Sequence, residues 1–212
     1  MKIRALATLL VMLAPASLVK NLTLRFIGHN VALSSKVGVT LFIGSGKLEL
    51  SKNATIGSFS VFRDLKLLVM CEGSSVGNLN WITASKVLVS KGAIGKLSMG
   101  DSSVITNRHY LDVTGGLSLG NRSAIWGVRS TVMTHGIKIE TWEQNTRSVE
   151  IGDDSVIGSN STVCPGTKVP NGSSFGMGAL LSGQKYLPNQ LYVNQKASFS
   201  RKISPRIYLE NN

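Results

Sequence analysis

Two short polar stretches hold the residue types that move protons. Asn107-Arg108-His109-Tyr110-Leu111-Asp112 places an amide, an imidazole and a carboxylate close together, and Thr134-His135-Gly136 follows. An imidazole titrates near neutrality, so His135 is a candidate general base toward a hydroxyl, with His109 as a competing one. Asp112 is suited to orient such an imidazole or to bind an acceptor hydroxyl, and Asn107 to the latter; both are also ordinary turn residues. The only other histidine is His29. Gaps of 80 and 26 residues separate the three and give no closely placed pair of ligands, so no metal is expected. Cys71 and Cys164 make no disulfide framework. Cys164, in Val163-Cys164-Pro165-Gly166, reads as a small structural residue rather than a nucleophile. There is no Gly-rich phosphate loop.

The element that must carry these groups is written most clearly between Ile151 and Leu181. Counting in sixes gives Ile151, Ile157, Val163, Val169, Phe175 and Leu181, and four residues past the first five sit Ser155, Ser161, Thr167, Ser173 and Ala179. A period of six with glycines at the corners fits neither a helix nor an alternating strand; it is the repeat of a parallel β-helix. Three sixes make a triangular coil of eighteen, with large residues pointing inward, small ones where the interior is tight and each coil covered only by its neighbours. The chain therefore reads as all-β, a hexapeptide-repeat solenoid over residues 37–183.

Toward the N-terminus the repeat runs irregularly through Val37, Ile43, Ile56, Val76, Ile82, Leu88 and Ile94, then Leu119, Ile125, Thr131 and Ile137. Fourteen residues separate Ile137 from Ile151, which is no multiple of six, so about 138–149 reads as an extruded loop carrying Glu140, Trp142, Glu143 and Arg147. Residues 1–36 form a separate N-terminal segment. Its start, with Lys2 and Arg4 before an apolar run to Leu13, is compatible with a signal peptide and too short to span a bilayer. Beyond Pro15, however, Leu18, Leu22 and Phe26 recur at helical spacing with Lys20 and Arg25 on other faces, as in a helix lying on a membrane or capping the solenoid. Residues 184–212 are a basic C-terminal extension.

Net charge is +12, from 23 Lys and Arg against 11 Asp and Glu, and no acidic residue precedes Glu49. That asymmetry calls for an anionic partner: a polyphosphate cofactor, an anionic lipid or an acidic sugar. Nucleic acid is not expected, because no DNA- or RNA-binding motif accompanies the charge.

The hexads resemble those of the left-handed β-helix hexapeptide-repeat acyltransferases. The order Asn107, Asp112, a hexad, then Thr134-His135 is similar to the sugar and polysaccharide O-acetyltransferases among them, in which the matching histidine is the general base. A basic, leucine-rich N-terminal helix before Gly28-His29 is also similar to members that modify lipid-linked or polymeric sugars. The resemblance implies a left-handed parallel β-helix, a homotrimer, acetyl-CoA as donor and direct transfer to a hydroxyl of a sugar or lipid-linked saccharide. It implies a cytoplasmic enzyme, in peripheral contact with the inner face of the membrane. It also implies coenzyme contacts at Ser159 and Gly178 along the pantetheine arm, and at Lys185, Arg201 or Lys202 near the phosphates. Asn194-Gln195-Lys196-Ala197-Ser198 departs from the family's Gly-Asn-Pro-Ala-Lys or Arg and weakens the carry-over there. The reading from another class is a non-catalytic β-helix binding or scaffold module, possibly exported. Finally, with regular coils of eighteen, Asp112 falls one rung and nearly one side away from His135. The pair is then expected to meet only across a threefold interface.

Overall fold

The computed structural model describes residues 2–194. Three parallel ladders of seven, eight and seven short strands stack as the walls of a prism. Wall A runs from Asn30–Val31 through Lys47–Leu50, Leu67–Met70, Lys96–Met99, Leu117–Leu119 and Val149–Ile151 to Lys168–Val169. Wall B runs from Lys36–Val37 to Leu191–Tyr192 and wall C from Leu41–Ile43 to Leu180–Leu181. The chain visits A, B and C in turn and climbs one rung per circuit, forming the expected left-handed parallel β-helix. The first rung already contains Asn30–Val31, ahead of Val37, and the last wall-B strand lies beyond residue 183.

The hexads do what their spacing requires. Ile151, Ile157, Val163, Val169, Phe175 and Leu181 all point inward, as do Ser155, Ser161, Thr167, Ser173 and Ala179 at the tight corners. Each fully buried aliphatic side chain contributes roughly 1.5–3 kcal/mol. The small column is polar without cost because its hydroxyls bond to corner carbonyls, Ser155 to Pro170 O at 2.8 Å and Thr167 to Cys164 O at 2.7 Å.

Coil length explains why the pattern blurs earlier in the chain. Thr162 pairs with Leu180, eighteen residues on, but Thr55 pairs with Ser75, twenty on, and Tyr110 with Thr131, twenty-one on. The extra residues sit at corners, apart from one taken up inside wall B, where Ile105 pairs with Ile125 but Asn107 with Val128. Two circuits are longer still: Trp81 pairs with Tyr110 across an insert that contains α3 (Lys86–Ser90), and Leu117 pairs with Val149 across an antiparallel hairpin. Leu88, Ile94 and Ile137, which the six-residue count assigns to the interior, belong to these excursions, and Ile94 and Ile137 are exposed. Ile43 also faces out, with Phe42 buried in its place.

The N-terminal segment is two helices, α1 (Lys2–Met12) and α2 (Leu18–Phe26), broken at Pro15 and lying over the first rung. Their apolar side turns outward, as a surface-lying helix requires, but Lys20 turns inward. Lys20, Asn21 and Leu24 are buried, whereas Leu18, Leu22 and Phe26 face solvent. Lys20 Nζ donates to the carbonyls of Met12, Ala14 and Gly38 at 3.0, 2.8 and 2.7 Å, and Asn21 Nδ2 donates to that of Ser35 at 2.7 Å. These bonds satisfy backbone groups that the open end of a solenoid would leave bare. At the other end Phe175 stacks on Tyr192 with ring centroids 4.7 Å apart, and Tyr186 packs edge-on against both.

Two buried histidines tie rungs together. His29 accepts the Leu48 N–H at Nδ1 (3.1 Å) and meets the Thr8 hydroxyl at Nε2 (2.8 Å); His109 accepts the Ser130 N–H (3.1 Å) and meets the Thr106 hydroxyl (3.0 Å). Burial pulls both pKa values down to about 4, so both rings are neutral in the fold. In the unfolded chain they titrate near 6.5, so between about 6.5 and 4 the unfolded state binds more protons. Stability is then complete above that window and falls through it, by roughly 3 kcal/mol per ring. Thermal unfolding followed against pH is expected to show this decline, and replacing both rings in the double variant His29→Gln/His109→Gln to flatten it.

Candidate active site

Asp112 ends a wall-C strand at the corner leading to wall A and is 1 % exposed. A carboxylate so buried must have donors. Its Oδ1 accepts the Thr114 N–H (3.2 Å) and the Thr114 hydroxyl (2.5 Å); its Oδ2 accepts the Thr134 N–H (2.7 Å) and the Thr134 hydroxyl (2.7 Å). Those hydroxyls are aimed by acceptance from the backbone, Thr114 from Ser85 N–H and Thr134 from Gly115 N–H, each at 2.8 Å. Burial pushes the Asp112 carboxyl up, but the hydrogen bonds from Thr114 and Thr134, with the close approach of His135, outweigh it and hold the group below its ordinary range.

His135 Nδ1 lies 2.9 Å from Asp112 Oδ2 within the same chain. This overturns the expectation that the pair meets only between subunits. The circuit from Tyr110 to Thr131 takes twenty-one residues rather than eighteen, so His135 comes just past the rung above Asp112 instead of a side away. Nδ1 is buried and makes no aligned hydrogen bond, so the carboxylate holds the ring mainly by charge; such contacts often tighten only when substrate binds. The side chain is 27 % exposed, and with Nδ1 covered the accessible part is the remainder of the ring, which carries Nε2. A carboxylate at Nδ1 favours the tautomer with the proton there and a free lone pair on Nε2, the form a general base needs.

Two excursions flank this corner. The hairpin pairs His135 with Thr146 and Lys138 with Glu143, and presents Ile137, Ile139 and Trp142 to solvent. It therefore begins at His135 rather than Lys138, and Val149 is already buried in wall A. The α3 insert leaves wall C one rung below Asp112 and is tied to it through Thr114, which receives Ser85 N–H on its hydroxyl and Gly95 N–H on its carbonyl (2.9 Å).

The remaining candidates do not converge on His135 within one chain. Asn107 lies at the corner between walls B and C, where its Oδ1 accepts the Asn78 N–H at 2.7 Å in a ladder of corner amides. Its competing neighbour His109 is buried at the same corner with both ring nitrogens engaged. Ser159 and Gly178 stand together farther up that edge, Gly178 N–H donating to Ser159 O at 2.8 Å. Lys185 lines a groove of about 630 Å³ on wall A beside Lys168 and Glu150, just past the hairpin base. Arg201 and Lys202 lie outside the described residues. Thr114, Ser85 and Gly115 were not singled out from sequence. The spacing Asp112-Val113-Thr114, which permits an Asx turn, was the available signal for the first of them.

No family model matches the chain, and no curated protein matches it. Among solved structures it is similar to one titled as the polySia-specific acetyltransferase NeuO, at 16 % identity and a TM-score of 0.40, over 74 % of this chain and 81 % of that one. That likeness is too distant to assign a substrate or a residue.

A Cβ at Gly115 would collide with the carbonyl of Thr134 and lie 2.9 Å from Arg147 N, at the base of the hairpin. Gly115→Ala is therefore expected to shift His135 away from Asp112 and lower the melting temperature by several degrees. Because the pair is complete in each chain, mixing His135→Ala with Asp112→Ala subunits is expected to restore no activity. Recovery to about a quarter of wild type, the random-mixing fraction for a shared site, would show the pair to be divided between subunits.

Proposed function

We propose that the chain is an acyl-CoA-dependent O-acyltransferase, with acetyl-CoA as donor and a hydroxyl of a sugar or surface-polysaccharide precursor as acceptor. The observation that carries this reading is the Asp112–His135 pair, set in its two-threonine cradle at the mouth of a corner flanked by two excursions. Nε2 of His135 takes the acceptor's proton as its oxygen bonds to the thioester carbonyl carbon. Asp112, 2.9 Å from the other ring nitrogen, stabilises the imidazolium that results. Collapse breaks the C–S bond, and the thiolate recovers the proton. No acyl-enzyme is needed.

The donor is assigned to a groove completed by a second subunit of a homotrimer. The wall-A groove with Lys168 and Lys185 suits phosphates, while Ser159 and Gly178 lie on another edge of the prism and reach a donor bound near His135 only across an interface. Leu41, Trp81 and Tyr110 are exposed in one column of wall C, between those two edges, which Leu180 resumes beyond Thr131 and Thr162, and this supports burial against another copy.

Peripheral contact with the cytoplasmic face of a membrane belongs to this reading, and the outward apolar side of the two helices supports it. Ile3, Leu6, Leu10, Leu18, Val19, Leu22 and Phe26 face outward in a region rich in Lys and Arg and free of acidic residues before Glu49. Among the described residues no helix is long and apolar enough to cross a membrane.

Thiol release and product mass, measured across a sugar panel with acetyl-CoA, test the reaction. His135→Ala is expected to lower kcat by about 10²–10⁴-fold without loss of fold; transfer that survives the substitution removes the base assignment. Leu10→Glu/Phe26→Glu is expected to abolish sedimentation with anionic vesicles while leaving thermal stability near wild type. Deleting residues 1–27 is expected to destabilise the protein as well, because Met12 and Leu24 belong to the core.

A further inference from the structure

On the same edge of the prism as His135, below the α3 insert, lies a second groove of about 490 Å³. Its floor is Leu67 of wall A, its outer wall is the loop Gly92–Ile94, and three lysines line it. Lys47 and Lys96 occupy the same register on the rungs either side of Leu67, and Lys66 begins the middle rung. The insert is fixed there by the bond from Lys66 N–H to Gly95 O at 2.8 Å. One carboxylate, Glu49, is present and pairs with Lys47 at 2.9 Å. Among the described residues Lys66 and Lys96 have no ion-pair partner. The groove is therefore cationic, with an apolar floor, and is formed by an insertion rather than by a flat wall.

It lies along the same edge as the candidate active site, with the insert covering the corner between them. Ile94 packs over Gly116, and Gly95 and Ser85 bond to Thr114, the residue that holds Asp112. Counting rungs at ~4.8 Å, Lys96 lies about 10 Å and Lys47 about 20 Å along the edge from His135. Lysine heads on flexible stems act as point charges and tolerate anionic groups at varied spacing, and an apolar floor suits the C–H faces of sugar rings.

We propose that this groove is an acceptor subsite for an anionic oligosaccharide, binding acidic sugar units several positions from the hydroxyl presented to His135. The proposal rests on the acyltransfer reading for its link to His135, but the groove's ligand can be tested without it. Full-length protein is titrated calorimetrically, with no acyl donor, with a tetrameric oligogalacturonate and with a neutral galactose tetramer. The uronate is expected to bind and to weaken as salt rises, and the neutral oligomer to bind at least about tenfold less well. Lys66→Ala/Lys96→Ala is expected to weaken the uronate about tenfold and to raise its KM as acceptor more than it lowers kcat. Lys52→Ala, outside the groove, is expected to leave uronate binding unchanged. Equal binding of the two oligomers, or uronate affinity and KM unaltered in a double variant that melts like wild type, would overturn the subsite. Transfer confined to neutral acceptors would also overturn it and leave the transferase intact. Uronate binding lost in the double variant, in a protein that transfers no acyl group, would uphold the subsite and remove the enzyme reading.

Discussion

The candidate site depends on one constraint, that a carboxylate taken out of water must be surrounded by donors. Asp112 meets it with two hydroxyls and two backbone N–H groups from the corners of consecutive rungs. That saturation has a mechanical consequence. Thr114 and Thr134 cannot drift without stranding the charge, and His135 is covalently next to Thr134. The ring position is therefore fixed by the neighbouring residue's need to satisfy Asp112 as much as by its own contact with it. A site built this way is preorganised before substrate arrives, which is the condition for electrostatic help to a developing imidazolium.

Placement of the two excursions follows from the ladder. Extra chain at a corner leaves the ladder paired, whereas a single extra residue inside wall B already shifts its register, Ile105 pairing with Ile125 but Asn107 with Val128. Trp81 thus keeps its wall-C partner Tyr110 across the insert, and Val132 its partner Val163 across the hairpin. Both leave at the corner between walls C and A, on the rungs below and above the corner that carries Asp112. The corner between them is covered, Asp112 to Gly116 all being buried, and His135 at the base of the hairpin is the half-exposed group beside it.

Legibility in the sequence tracked regularity. From Ile151 onward the coils are eighteen residues long, and both the large and the small columns could be assigned residue by residue. Earlier coils of nineteen to twenty-one residues keep inward residues on every wall, two per rung on wall A, but move their numbers, so a count in sixes selected Ile94 and Ile137 where the chain had left the prism. The same irregularity hid the Asp112–His135 contact. The types His, Asp and Thr were visible, but their distance depended on three residues absorbed at corners and in a register shift of wall B, which carry no periodic signal. The inward turn of Lys20 was missed for a different reason. A helix that caps an open solenoid end is selected for donors to bare carbonyls, so Lys20 and Asn21 mark its inner face.

The outward apolar side of these helices bears on how the molecule would meet its surroundings. A capping helix normally turns its apolar side to the core; here Met12 and Leu24 are fully buried and Val11 packs partly against the core, while Leu6, Leu10, Leu18, Leu22 and Phe26 are left outside. Such a surface in water is unfavourable, roughly 25 cal/mol for each Å² left exposed, and the fold gains nothing from it internally. Its benefit must come from what covers it. The surrounding charge is of one sign, which disfavours stacking of this face on a second copy of itself and favours an anionic apolar layer. The end of the prism that carries this face is also where the lysine groove begins, with Lys47 on the second rung of wall A. A lipid surface there would bring an acidic acceptor to the edge that leads up to His135, so that the cap, the groove and the base lie in the order in which a membrane-borne chain would meet them.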